Sequence, residues 1–79
     1  MNLTTEAFVD LINHQRLQSR DRWFSSTGVV NGKPYRLKCF NLYCQILDID
    51  GIHFGRSSDF DKVSEFKKFL REAAMYAVK

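Results

Sequence analysis

Apolar residues recur at helical spacing near both ends of the chain and alternate in its middle. Ala7, Phe8, Leu11 and Ile12 form one stripe. Thr4 or Thr5 can cap that stripe and Glu6 sits near its positive end, which predicts a helix near residues 4–18. The pattern fades after Leu17 into Gln18-Ser19-Arg20-Asp21-Arg22, a polar connection. Toward the other end, Phe60, Val63, Phe66, Leu70, Ala73, Ala74 and Ala77 predict a second helix near 59–77, with Ser57-Ser58-Asp59 offering caps. Lys68 and Glu72 on its opposite side can pair across one turn.

Between the helices the pattern predicts strands. The first runs from about Trp23 to Val30. Asn31-Gly32-Lys33-Pro34 marks a hairpin, because Asn-Gly accepts positive φ and Pro34 fits a strand start. A second strand spans about Tyr35–Ile49, and Asp50-Gly51 turns the chain into a short third strand, Ile52–Arg56. The expected fold is α+β in the order α-β-β-β-α. It is a three-stranded antiparallel meander with both helices on one face, forming a single domain over residues 1–79. Pairing Val30 with Tyr35 sets Gly28 against Leu37 and Ser26 against Cys39, small residues that leave room for helix side chains.

The second strand carries an irregularity. Tyr35, Leu37 and Cys39 are apolar at odd positions, but from Phe40 the apolar set is even: Phe40, Leu42, Cys44, Ile46. A β-bulge near Phe40-Asn41 in one overlong strand accounts for the change of face. On this reading Leu42, Cys44, Ile46, Ile52 and Phe54 enter the core, while Tyr43, Leu47 and Ile49 lie on the helix-free face. The rival reading buries both faces, the second against another subunit.

Charge and chemistry narrow the function. The net charge of +3 permits contact with nucleic acid or acidic protein and requires neither. No apolar run approaches the ~18 residues of a membrane span. The N-terminal stretch lacks the basic and apolar regions of a signal peptide, so a cytoplasmic location is expected. Cys39 and Cys44 on one extended strand would stand roughly 16 Å apart, which predicts two reduced thiols. No nucleophile elbow, phosphate loop, zinc motif or Cys-x-x-Cys is present. Asp48 and Asp50 lack the remaining ligands of a calcium loop. The expectation is therefore no enzyme, no cofactor, no metal and no small-molecule substrate.

Two binding readings follow. The first is protein binding through the helix-free face, with Trp23, Val29, Tyr43 and Leu47 as contact residues, since Tyr and Trp beside Arg is the usual make-up of an interface centre. An adaptor, an inhibitor, an accessory protein of a phage or mobile element, or a homodimer would fit it. The second is nucleic-acid binding through Arg20, Arg22, Arg36 and Lys38, with Arg16, Lys33 and Arg56 nearby and aromatic residues interleaved. The predicted order is similar to that of double-stranded-RNA-binding domains. Those begin their last helix with lysines where this chain reads SSDFDK, whose acids would repel phosphate. Membership of that family is not inferred.

Overall fold

A computed structural model describes residues 2–55, 58–59 and 62–76. In chain order the elements are β1 (Asn2–Leu3), α1 (Thr5–Ser19), β2 (Trp23–Val30), β3 (Lys33–Phe40), β4 (Tyr43–Ile49), β5 (Ile52–Gly55), β6 (Ser58–Asp59) and α2 (Val63–Tyr76). This corrects the predicted α-β-β-β-α meander. The sheet is mixed, follows the path β1-β2-β3-β4-β5, and a strand precedes the first helix. β1 pairs with β2 in parallel; the other pairings are antiparallel, and β6 joins β4 on the same edge as β5. Arg56, Ser57, Phe60 and Ala77 lie outside the described residues.

α1 forms where the apolar spacing predicts it, whereas α2 starts at Val63 rather than near residue 59, because Ser58 and Asp59, expected as caps, pair with β4 as β6. Thr4 caps α1, its side-chain oxygen accepting from the Ala7 amide at 3.2 Å. The buried stripe is Phe8, Val9, Ile12 and Arg16 rather than one containing Ala7. In α2 the buried residues are Phe66, Leu70, Ala73 and Ala74, and the Lys68–Glu72 pair forms at 4.0 Å. Glu6 and Arg71 tie the two helices together through hydrogen bonds of 2.6 and 3.0 Å. One core lies between these helices and one face of the sheet. The sheet supplies Val30, Tyr35, Leu37, Cys39, Cys44, Leu47 and Ile49.

The largest correction concerns the supposed single strand Tyr35–Ile49. It is two strands joined at Asn41-Leu42. Asn41 takes a φ of 53°. Asn tolerates this left-handed region better than most residues. The Arg16 guanidinium donates to the Asn41 side-chain oxygen at 3.4 Å and to that of Asn13 at 3.1 Å, tying the turn to α1. A bulge exists, but further along: Lys38 pairs with Ile46 and Cys39 with Cys44, leaving Gln45 as the extra residue. Turn and bulge together point Cys44, Leu47 and Ile49 inward and Tyr43, Ile46 and Asp48 outward. The predicted burial of Ile46 and exposure of Leu47 and Ile49 are thereby reversed. Ile52, expected in the core, is 45% exposed.

The first hairpin also shifts. Asn31 and Gly32 form a two-residue loop with φ of 51° and 78°, closed by Val30 and Lys33 rather than Val30 and Tyr35. Gly28 consequently faces Tyr35 and Ser26 faces Leu37. The space above Gly28 holds the Tyr35 ring, whose hydroxyl shares a 2.9 Å hydrogen bond with Ser26. The Asn31 side chain donates to Thr5 Oγ1 at 2.9 Å and to the Ala74 carbonyl at 3.2 Å, joining this turn to both helices.

Candidate functional site

The helices cover one face of the sheet and leave the other open. Alternation within each strand fixes what the open face displays. β2 presents Trp23, Ser25, Thr27 and Val29; β3 presents Pro34, Arg36, Lys38 and Phe40; β4 adds Tyr43, Ile46 and Asp48; β5 adds His53. Cross-strand pairing sets Trp23 opposite Phe40, Phe40 opposite Tyr43, and Arg36 opposite Asp48.

These neighbours sort into two zones. The aromatic zone lies at the Asn41-Leu42 end. The Trp23 ring stands 5.5 Å from Phe40 and 6.0 Å from Tyr43 in tilted and edge-on packing. The Lys38 ammonium lies 5.7 Å from the Trp23 ring centroid. Ile46 sits beside Lys38 in the register. Trp23 is the chain's one tryptophan, and it is 46% exposed. Rings held in mutual contact need little further ordering on binding, which is why such clusters suit interface centres.

The second zone is polar. Asp48 accepts from Arg36 at 3.2 Å and lies 2.5 Å from His53 Nδ1. The His53 hydrogen bond, with a further contribution from Arg36, holds the Asp48 carboxyl below the usual range for an aspartate. Asp50 lies near Lys33 at 3.6 Å. Asp48 and Asp50 are therefore engaged with separate cations and do not converge on a shared point.

Of the residues expected from sequence to contact a protein partner, Trp23, Tyr43 and Val29 share the open face. Leu47 does not, being fully buried beneath the helices. Of the cations expected to contact nucleic acid, Arg36 and Lys38 share that face. Arg20 lies off it, at the C-terminal cap of α1 with a φ of 49°, beside a shallow cavity of about 500 Å³ that also involves Arg16, Leu17, Asp21 and Asn41. Arg22 is exposed immediately before Trp23, and Arg16 is buried. The sequence reading missed Phe40 and Ile46 as members of the open face. Counting alternation outward from Asn41-Leu42 as a turn would have recovered Phe40.

Cys39 and Cys44 are cross-strand partners, both fully buried and both free thiols. The hairpin thus overturns the argument that they stand far apart. A hydrogen bond to Cys44, and then burial, pushes the Cys39 thiol well above its ordinary value. The Cys44 thiol donates in turn to the Ile46 carbonyl at 3.4 Å.

Among the described residues no helix is long and apolar enough to cross a membrane. Comparison with known protein families, curated proteins and solved structures gives no match to this chain. The fold and the face define it as a small α+β protein whose helix-free sheet surface carries a preformed aromatic cluster.

Proposed function

We propose that this protein acts without catalysis, by binding another protein through the helix-free sheet face. Trp23, Phe40, Tyr43 and Ile46 form the apolar centre of the contact, Val29 extends it along β2, and Lys38 and Arg36 stand at its rim. The observation that carries this reading is the half-exposed Trp23 packed against two other rings on a face that neither helix covers. Tryptophan, tyrosine and arginine are the residues that most often dominate binding energy at protein interfaces.

Single-stranded nucleic acid is a second reading, favoured by the Lys38 ammonium beside an exposed indole on an open sheet. Two features rank it lower. Arg36 is paired with Asp48, so the face offers phosphate a diluted charge. Arg20, at the cap of α1, lies away from the face and adds nothing to it.

Trp23 reports directly on occupancy, since its fluorescence is the chain's one indole signal. Affinity capture from lysate, with and without nuclease and at two salt concentrations, distinguishes the readings. A protein partner held by an apolar centre survives nuclease and moderate salt, changes the Trp23 emission, and is lost with Trp23→Ala. A partner released by nuclease, with steep loss in salt, would place nucleic acid first.

A further inference from the structure

The two edges of the sheet are built differently. At one edge β5 is short, and its pairing with β4 is broken by a register shift that leaves Phe54 as the extra residue. Short, bulged edges resist pairing with other chains. At the other edge β1 covers β2 over Val29 and Val30 among the described residues. The remainder of that edge, from Trp23 to Gly28, pairs with no other strand among the described residues. Its sequence, WFSSTG, contains no charge and no proline, and its register with β3 is unbroken. Three common devices that protect an edge strand, a charge, a proline and a bulge, are missing there.

The direction of the free backbone groups follows from the hairpin. Val30 and Lys33 close the two-residue Asn31-Gly32 loop, so they form a hydrogen-bonded pair. Alternation then turns the N–H and C=O of Val30, Gly28, Ser26 and Phe24 toward β3. Those of Trp23, Ser25, Thr27 and Val29 turn outward. The Asp50 amide bonding to the Pro34 carbonyl at 2.7 Å agrees, because it sets even-numbered β3 residues toward β4 and odd-numbered ones toward β2. β1 occupies the position beside Val29. The outward groups left over belong to Trp23, Ser25 and Thr27, a set symmetric about Ser25.

We infer that this edge pairs with the same edge of a second copy, antiparallel about a two-fold axis at Ser25. An antiparallel pairing of one strand with itself is self-complementary. Ser25 meets the second copy's Ser25, and Trp23 meets the second copy's Thr27. All the outward donors and acceptors of the open stretch are matched without displacing β1. Odd residues of both copies point to the same side, so the helix-free faces merge into one surface. The two Trp23 residues then lie about 13 Å apart along the strands, each beside a threonine of the other copy. The dimer joins two aromatic clusters on one platform, which neither copy presents alone. This inference rests on the strand edge and its backbone, not on the aromatic face being a binding site.

Sedimentation of the full chain across a concentration series tests the assembly, and cysteine placement tests its register. Hydrogen-bonded antiparallel neighbours have Cα atoms about 5.5 Å apart, inside the disulfide range. Ser25→Cys is expected to give a covalent dimer on mild oxidation with oxidised glutathione. Thr27→Cys, whose counterpart is about 13 Å away along the strand, is expected to stay unlinked. Thr27→Lys, a charge on the edge, is expected to raise the dimer Kd by at least about tenfold with the circular dichroism spectrum unchanged. A parent that stays monomeric at its highest soluble concentration overturns the inference, whether the edge is then empty or filled by a strand of a different protein. A dimer that links through Thr27→Cys as readily as through Ser25→Cys also overturns it. Trp23→Ala separates this from the proposed function: it removes the ring and keeps the backbone, so dimerisation persists while partner capture is lost.

Discussion

The reversal at Ile46 and Leu47 is open to a direct test. These neighbours differ in one respect that matters: Leu47 is fully buried beneath the helices, and Ile46 is half-buried on the open face. Replace each in turn with glutamate. At Leu47 the change first removes a buried leucine, and loss of such side chains costs about 3–5 kcal/mol when they are truncated to alanine. It then places a carboxylate in a site lined by Leu37, Ile49 and the helix residues, where charge has no partner and costs several kcal/mol more or forces protonation. A chain of 79 residues has a total stability of about 4–12 kcal/mol. Leu47→Glu is therefore expected to unfold it.

At Ile46 the arithmetic is different. The residue gives up only part of its apolar burial, and Lys38 is its direct partner across the strand. A cross-strand pair of opposite charges returns about 0.2–1 kcal/mol. The net cost of Ile46→Glu is then under about 1 kcal/mol, the usual range for a surface change. Urea titration followed by far-ultraviolet circular dichroism reads both variants, with Trp23 emission as a second probe. Ile46→Glu is expected to show a cooperative transition close to the parent's, and Leu47→Glu no folded baseline. A stable Leu47→Glu beside an unfolded Ile46→Glu would refute the Asn41-Leu42 turn, the Gln45 bulge and the assignment of the open face together.

Three further outcomes follow from single features. A Cβ at Gly28 would lie 2.9 Å from Cε2 of Tyr35, a ring held by Ser26 and packed edge-on against Phe8, so Gly28→Ala is expected to lower stability by about 1–2 kcal/mol in urea titration. Asp48 has a depressed pKa in the folded chain, so its contribution is present above the ordinary aspartate range and lost as pH falls through the folded value; His53→Ala is expected to raise that value, read as the carboxyl carbon shift in an NMR titration. Cys39 and Cys44 are fully buried, so an alkylating reagent is expected to leave both unmodified in the native protein and to count two thiols after unfolding; rapid native labelling would refute their burial.

Much of the fold was legible because its signals are local. Asn31-Gly32 and Asp50-Gly51 announce turns by chemistry that suits positive φ, and both positions adopt it. The helices were legible from spacing, and Thr4 from its capping chemistry. The hidden elements are those whose signals are weak or non-local. Asn41-Leu42 has no glycine to mark it, and its neighbours Phe40, Leu42 and Tyr43 read as a continuous apolar strand. The side chain that fixes this turn, Arg16, lies 25 residues away in sequence and looked like a surface cation. β1 is too short to carry any periodicity, and its pairing with β2 depends on where α1 returns the chain.

The missed turn and the bulge have consequences beyond the strand count. Residues on either side of a two-residue turn face each other, so Phe40 and Tyr43 point to one side and Cys39 and Cys44 to the other. Without the bulge, strict alternation from Cys44 would send Ile46 inward and Leu47 outward, the parity expected from sequence. Gln45 resets it, and in doing so moves a leucine into the core and an isoleucine out beside Lys38. The aromatic zone exists because of the same turn: Trp23 meets Phe40 across one pairing, and Phe40 meets Tyr43 across the next. The candidate site is thus a product of chain reversal at a place with little turn signal. Sequence composition could nominate Trp23 and Tyr43 as members of one face, but only the reversal supplies Phe40 as the ring between them.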